Sequence, residues 1–312
     1  MPKNKLVLFG KQKIAVAIPC HNEAATIAEV VRGFRKALPK SRVYVFDNAS
    51  TDNSAALARK AGAQLRYVTA LGKGHVLRAI FDDLEEDVIV LADGDATYLA
   101  EEVNELIAPV VRGEADMAVG ERLTAISDKS MKPINQFGNR LIVAYINRLF
   151  GTRYRDILSG YRAFNRRFIE SVPVLTTGFE VESEITLQAL AEGLRVVEVP
   201  VHYRDRPKDS FSKLRPFADG YRIVLTAAIL LRDHRPLRLF GTIAIVFWLL
   251  AGIAGALRLF SIFGQDSLPV SILGGIVLLC LPTGMIALGI GMSLNAINTR
   301  FQEIKTYLRR SR

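Results

Sequence analysis

Apolar positions follow three rhythms along this chain. Through roughly the first two-thirds of the chain, short unbroken apolar runs alternate with stretches in which apolar residues recur every three or four positions. "KIAVAIP" (13–19), "RVYVFD" (42–47), "QLRYV" (64–68) and "DVIVLAD" (87–93) have the length and β-branched content of strands. Between them, "EAATIAEVVRGFRKAL" (23–38) places Ile27, Val30, Val31 and Phe34 on one helical face. "NSAALARKAG" (53–62) reads as a short helix closed by Gly62, and "GHVLRAIFDDL" (74–84) as another. This alternation predicts an α/β, Rossmann-like architecture: a mostly parallel sheet covered on both faces by helices. In such a sheet the ligand sits beyond the carboxyl ends of the strands.

The third rhythm has no polar beat. "LFGTIAIVFWLLAGIAGAL" (239–257) and "SLPVSILGGIVLLCLPTGMIALGIGMSLNAINT" (267–299) contain no charged residue. A bilayer span needs about 20 mostly apolar residues, so the two runs and the short link "RLFSIFGQD" predict a transmembrane hairpin rather than a pair of core helices. Arg232, Arg235 and Arg238 precede it, and Arg300, Lys305, Arg309, Arg310 and Arg312 follow it, whereas the link carries only Arg258 and Asp266. That bias predicts both ends on the cytoplasmic side of an inner membrane. The stretch "RPFADGYRIVLTAAILLRD" (215–233) is apolar at helical spacing and edged with arginines. It reads as an amphipathic helix on the bilayer surface, or as a docking helix of the globular part. The expected domains are 1–213 (catalytic), 214–236 (juxtamembrane helix), 237–300 (hairpin) and 301–312 (basic tail).

Charge narrows the class of partner. The formal charge is +10 over 312 residues, which suits anionic lipid, anionic substrates or nucleic acid. With two spans in the chain, lipid and anionic substrate are the expected partners, and nucleic acid is not. The two cysteines, Cys20 and Cys280, lie far apart and form neither a disulfide framework nor a metal cluster, so a reducing compartment is expected. The opening "MPKNKLVLFGKQK" has too short an apolar run for a signal peptide.

Chemistry gathers at the strand ends. The first strand ends in Pro19-Cys20-His21-Asn22-Glu23, the second in Asp47-Asn48-Ala49-Ser50-Thr51-Asp52, and the fourth in Asp93-Gly94-Asp95. Two carboxylates one residue apart repel each other. A turn open to water offsets that cost, and so does a divalent cation; the convergence with the other strand ends favours the cation. Strand alternation would turn Asp93 and Asp95 the same way, with Gly94 leaving room for a ligand. Hard oxygen ligands suit Mg²⁺ or Mn²⁺.

Other groups allow two readings. Lys73 in "LGKGH" lacks the spacing of a P-loop; it is a phosphate or nucleotide contact, or a solvated lysine in a turn. His21 is a loop histidine that contacts a nucleotide or nothing, rather than a catalytic base. Arg122 after "MAVG", Arg162 in "SGYRAF" and Arg206 in "RDR", with Ser212 and Lys213 beyond, form an anion site or are surface charge. Glu180, Glu182 and Glu184 in "GFEVESEI" open a helix, one of them orienting a substrate and the others exposed or serving the helix N-terminus.

Five segments in order, "AIPCHNEA", "VFDNASTDNS", "LADGDAT", "DILSGYRAFNRR" and "EVPVHYRDR…SFSKL", resemble the motifs of family 2 glycosyltransferases with the GT-A fold. Within that family they are most similar to polyisoprenyl-phosphate glycosyltransferases such as dolichyl-phosphate mannose synthase. The resemblance spans about residues 13–213, and the hairpin matches members with two spans. It implies an inverting transfer of one sugar from a UDP- or GDP-sugar to a polyisoprenyl phosphate for cell-envelope glycans. Asp93 and Asp95 would hold the metal at the diphosphate. Pro19, His21, Glu23, Asp47 and Lys73 would line the donor site. Arg122, Arg162 and Arg206 would grip phosphates. Asn48 stands where many members carry a second aspartate. No general base stands out, and none is needed, since a phosphate monoester is ionised near neutral pH. The pattern leaves room for a homo-oligomer. Alternatives are a transferase acting directly on a glycan or another lipid, a processive polysaccharide synthase, and a non-catalytic nucleotide-binding scaffold. The synthase would bring more spans and a QxxRW motif, absent here.

Overall fold

The computed structural model describes residues 12–122, 143–144, 147–148, 151–178, 180–204, 221, 225, 228–229, 231–263 and 270–310. They fall in two compact units, Met1–Thr226 and Ala227–Arg312.

The first unit is built on a seven-stranded sheet. Its strands are β1 (Ile14–Cys20), β2 (Arg42–Asp47), β3 (Gln64–Tyr67), β4 (Val88–Leu91), β5 (Met117–Arg122), β6 (Arg162–Asn165) and β7 (Val196–Val201), in the spatial order β3-β2-β1-β4-β6-β5-β7. All neighbours are parallel except β6, which runs against both β4 and β5. β1 lies centrally, and Ala15, Val16, Ala17 and Ile18 are fully buried, as a strand covered on both faces requires. Val16 and Ile18 face a core with Ile27, Val31 and Phe34 of α1 (Ile27–Ala37) and Leu106 and Ile107 of α4 (Val103–Val111). Ala15 and Ala17 face the other core, with Leu77 and Ile80 of α3 (Lys73–Asp83), Phe168 of α5 (Arg166–Ser171) and Ile185 of α6 (Val181–Ala191). The period-two alternation of each strand thus divides the apolar residues between two helical layers. α2 (Ser54–Lys60) completes the first layer.

The four leading strands lie where the sequence rhythm predicts them. α1 starts later than the expected residue 23. The amide of Ala24 bonds the Asp52 carboxylate (3.1 Å) and the Glu23 carbonyl closes a turn onto Thr26 and Ile27, so the first four residues belong to the site loop.

The second unit holds α7 (Pro236–Phe263) and α8 (Val270–Arg310). Two segments, Pro236–Leu259 and Ser271–Phe301, have a mean hydropathy of 2.2 and leave most of their surface uncovered, with 17% and 28% buried. Apolar surface on that scale is stable in lipid, and this is a membrane protein. Three close approaches fix the pair as an antiparallel hairpin. A side chain at Gly274 would meet Arg258, one at Gly284 would collide with the Trp248 indole, and one at Gly291 would meet Phe240. Trp248 Nε1 donates to the Leu281 carbonyl at 3.3 Å. Small residues let the helices come together where no hydrophobic drive exists between them. Most of the expected amphipathic stretch, 214–236, lies outside the described residues, as do Arg206, Ser212 and Lys213.

Candidate functional site

The polar strand ends meet at the carboxyl edge of the sheet, and the loops after β1 and β2 are tied together. Asn22 accepts from the Thr51 amide (2.8 Å) and its own amide donates to Ser50 Oγ (3.0 Å). The Glu23 amide donates to Ser54 Oγ at 2.8 Å. His21 Nδ1 lies 2.6 Å from the Asn48 carbonyl, which sets its tautomer with the proton on Nδ1. Asn22 and Ala49 hold positive φ values of 52° and 54° at these corners.

Asn48 organises the next loop. Its amide group donates to the carbonyls of Val68 (3.0 Å) and Ala70 (2.7 Å), and its Oδ1 accepts from the Gly72 amide (2.8 Å). An aspartate could not donate these two bonds. The amide here clips the chain that leads into α3. Gly72 takes φ 137°, and neither it nor Gly74 has room for a side chain against the Thr176 and Thr177 carbonyls. Lys73 is thereby placed at the start of α3, next to the end of β4.

The site's acidic groups are held in different ways. Asp47, at the end of β2, is 5% exposed, and its Oδ1 is buried with no hydrogen-bond partner among the described residues. A buried acceptor without a donor is costly; a ligand hydroxyl or amide would satisfy it. Asp93 and Asp95 lie beyond β4 in a turn, so strand alternation does not orient them. Asp93 Oδ1 meets Lys73 Nζ at 2.5 Å. Asp95 is 2% exposed, and its Oδ1 accepts from Thr97 N (3.2 Å) and Thr97 Oγ1 (2.6 Å) across Ala96, whose φ is 59°. Gly94 does not open space for a ligand, as the sequence suggested. A side-chain carbon there would press on Ile27 (3.3 Å) and the Pro19 carbonyl (3.4 Å), and its own carbonyl accepts from Thr26 Oγ1 (2.6 Å). It is a packing glycine that seats the acidic turn on β1.

The three glutamates at the start of α6 are the largest departure from expectation. None is exposed: Glu180, Glu182 and Glu184 are 7%, 5% and 1% accessible. Glu184 accepts from the amides of Leu175 and Thr176 (both 3.0 Å), Thr176 Oγ1 (2.7 Å) and Gln188 Nε2 (2.8 Å), which fixes the loop against Gly72 and Gly74. Glu182 Oε1 meets Lys73 Nζ at 2.5 Å, while its Oε2 is buried without a hydrogen-bond partner. Burial alone would lower the Lys73 pKa, but the charges of Asp93 and Glu182 outweigh it and hold the ammonium above the usual lysine range. The buried pair of acids therefore keeps Lys73 charged. Sequence reasoning missed Glu182 as the partner of Lys73; the sign was its place among apolar residues in "GFEVESEI", which marks a buried helix start.

Two of the arginines expected to grip phosphate are engaged by the protein. Arg162 on β6 is fully buried. Its guanidinium donates to the carbonyls of Ser159 (2.8 Å) and Ile157 (2.7 Å) and to Thr186 Oγ1 (2.7 Å), with Met117 Sδ at 3.4 Å. Burial pulls its pKa down to about 10, so it stays charged at neutral pH. Arg162 is a clamp on the 157–161 turn, and that turn presents Gly160 to Asp93 with no room for a side chain. Arg122, closing β5, forks onto Asp156 (2.5 and 2.7 Å) and lies 5.4 Å over the Tyr203 ring.

Among the described residues no group of three or more His, Cys, Asp or Glu side chains is arranged to hold a metal ion, so Asp93 and Asp95 would share one with substrate. Two carboxylates that leave the remaining positions to substrate and water suit Mg²⁺ or Mn²⁺.

Residues 15–172 match the family described as "Glycosyl transferase family 2". The chain belongs to glycosyl transferase family 2. It is a glycosyltransferase, and its sheet with the antiparallel β6 is the GT-A fold of that family. Glycosyltransferase AglJ of Haloferax volcanii is 33% identical over 231 residues, 74% of this chain and 76% of AglJ. Polyprenol monophosphomannose synthase of Mycolicibacterium smegmatis is 29% identical over 213 residues, 62% of this chain and 78% of that protein. Among solved structures, glucosyl-3-phosphoglycerate synthase from Mycobacterium tuberculosis with Mn²⁺, UDP-glucose and phosphoglyceric acid superposes with a TM-score of 0.58 at 22% identity. That match covers 70% of this chain and 80% of the synthase.

Proposed function

We propose that this family 2 glycosyltransferase moves one sugar from a nucleotide-sugar to a polyisoprenyl phosphate at a membrane surface, with inversion at the anomeric carbon. The observation that carries the proposal is the meeting of Asp47, Asp93 and Asp95 at one sheet edge in a chain that also holds an apolar hairpin. The names of its relatives support the acceptor. They include polyprenol monophosphomannose synthase and the undecaprenyl-phosphate mannosyltransferase of Micrococcus luteus, the latter 28% identical over 211 residues.

Asp47 takes a hydrogen bond from the nucleoside through its unpartnered Oδ1. Asp93 and Asp95 would hold Mg²⁺ or Mn²⁺, which when bound supplies positive charge to the departing nucleoside diphosphate. Pro19, His21 and Glu23, at the end of β1 and in the loop after it, would line the donor site, and Lys73 adds a second cation. The acceptor phosphate is already an anion, so no side chain has to remove its proton. In agreement, Glu184 is saturated by four hydrogen bonds and Glu182 is held by Lys73. The hairpin anchors the enzyme with both ends cytoplasmic, beside the lipid.

A screen of UDP- and GDP-sugars with the purified full-length enzyme, Mn²⁺ and undecaprenyl phosphate tests this reading. A lipid-linked sugar from one donor is the expected product. Hydrolysis or lipid glycosylation by none of the donors would leave the scaffold reading in its place.

A further inference from the structure

Lys73 lies against Asp93, one of the two carboxylates proposed to hold the cation. Its Nζ is 2.5 Å from Asp93 Oδ1 and 2.5 Å from Glu182 Oε1. The base of the side chain is fixed. The Gly72 amide is held by Asn48, and the Gly74 amide donates to the Thr177 carbonyl at 3.1 Å. The tip is enclosed as well, since a side-chain carbon on Gly160 would sit 3.1 Å from Nζ. The lysine side chain is 10% exposed, Glu182 6% and Asp93 25%, so this is an ion pair with little solvent screening.

A divalent cation arriving at Asp93 would meet the ammonium at close range, and the two repel. Glu182 gives the ammonium a second seat, but that seat is too near to remove the repulsion. A diphosphate changes the balance, because its oxygens can take the lysine and bind the cation together. We propose that Lys73 occupies the cation-binding oxygen of Asp93 until a nucleoside diphosphate arrives, so that divalent cation and nucleotide bind as a coupled pair and each binds weakly alone. This rests on the reading that Asp93 and Asp95 hold the cation. Coupling of this kind is reciprocal: whatever factor the nucleotide adds to metal affinity, metal adds to nucleotide affinity.

The test is Mn²⁺ binding to the full-length protein in detergent, read from the free-Mn²⁺ electron paramagnetic resonance signal, with and without UDP or GDP. The wild type should bind Mn²⁺ about tenfold or more tightly with the nucleotide it recognises than without it. Lys73→Met should bind Mn²⁺ alone more tightly than the wild type, and its coupling factor should fall towards one. Mn²⁺ alone should also raise the melting temperature of Lys73→Met more than that of the wild type, because it replaces a lost counter-charge. Lys73→Met with unchanged or weaker Mn²⁺ binding alone, or with the wild-type coupling factor, overturns the proposal. Should that variant not fold, the wild type still decides: equal Mn²⁺ affinity with and without either nucleotide overturns it. Asp95→Asn separates the two levels. If it binds Mn²⁺ with nucleotide as the wild type does, the cation-site reading fails and the coupling with it. If it loses that binding while Lys73→Met keeps wild-type coupling, the Lys73 proposal alone fails.

Discussion

Arg122 and Asp156 meet as a two-pronged pair, Nε to Oδ2 at 2.5 Å and Nη2 to Oδ1 at 2.7 Å, joining the end of β5 to the turn before β6. The Asp156 amide in turn donates to Glu198 Oε1 on β7 (2.7 Å). Burial would raise the Asp156 pKa, but the Arg122 guanidinium outweighs it and holds the carboxyl below its usual range. Removing one partner leaves the other charged and desolvated. Asp156→Asn or Arg122→Met should therefore cost about 3 kcal/mol, roughly 6–12 °C in melting temperature for a unit of this size. The double variant Arg122→Met/Asp156→Leu should recover more than half of the loss. A double-mutant cycle on thermal unfolding in detergent measures it, and additive losses would mean the pair is not coupled.

Asp95→Asn should reduce transfer by about a hundredfold or more, since an amide is a poor ligand for a hard cation. The fold should persist, because Asn Oδ1 can still accept from Thr97 N and Oγ1. Asp93→Asn should lower both activity and melting temperature, because it also strips Lys73 of one of its two counter-charges. Turnover by Asp95→Asn at the wild-type rate would remove the metal role.

Asp116, buried at the head of β5, accepts from the Arg195 amide (2.9 Å) and Asn165 Nδ2 (3.0 Å), with the Arg195 guanidinium at 3.3 Å. Burial alone would raise its pKa; the Arg195 and Asn165 hydrogen bonds outweigh it and hold the carboxyl down to about 2 against an ordinary 3.8. A depressed folded-state pKa gives stability that is fully present above the ordinary value and lost as pH falls through the folded one. Asp116 should thus contribute on the order of 1–2 kcal/mol above about pH 4, fading towards pH 2, the half-exposed Arg195 limiting its size. Melting temperatures between pH 5 and pH 2.5, set against those of Asp116→Asn, should show a shallower slope for the variant.

Reporter fusions after Arg312 and within Phe260–Gln265 should report opposite sides of the membrane, the first cytoplasmic. Arginines gather at both outer ends of the hairpin, and the link carries Arg258 and Asp266 only. The same side for both would refute the anchor topology.

The parts of this molecule that repeat a rhythm were legible in its sequence. β1 to β4 and their helices follow from apolar periodicity, and the hairpin from the absence of charge. The acidic strand ends were legible too, because topology alone brings β1, β2 and β4 side by side. What escaped was pairing across distance. Nothing local shows that Lys73 and Glu182, more than a hundred positions apart, share a proton-rich contact, or that Arg162 points into the core. A buried charge is invisible to hydropathy, which counts Arg162 and Glu184 as surface. Asn48 looked like a weakened aspartate and is instead the donor that shapes the Lys73 loop. Gly94 shows the converse, with the right residue noticed and the wrong reason attached.

The acceptor gives the last prediction. A hydroxyl nucleophile must lose a proton as it attacks, usually to a carboxylate or histidine within reach. Here Glu184 is consumed by the 175–176 loop and Glu182 Oε1 by Lys73, while His21, its Nδ1 proton on the Asn48 carbonyl, keeps only Nε2 as an acceptor. A phosphate monoester has no such need, its second ionisation lying at about pH 6. Polyprenyl phosphate should therefore be glycosylated, and the free polyprenol should not be, under the same detergent and metal. The rate should fall below about pH 6 as the acceptor takes up a proton, and the same fall should persist in His21→Gln, which should weaken donor binding at most. A shorter-tailed lipid phosphate should react less efficiently, since the tail mainly concentrates the acceptor beside the hairpin. Comparable glycosylation of the free alcohol would defeat direct attack by phosphate, and Glu180 or Glu182 would then have to act as the base.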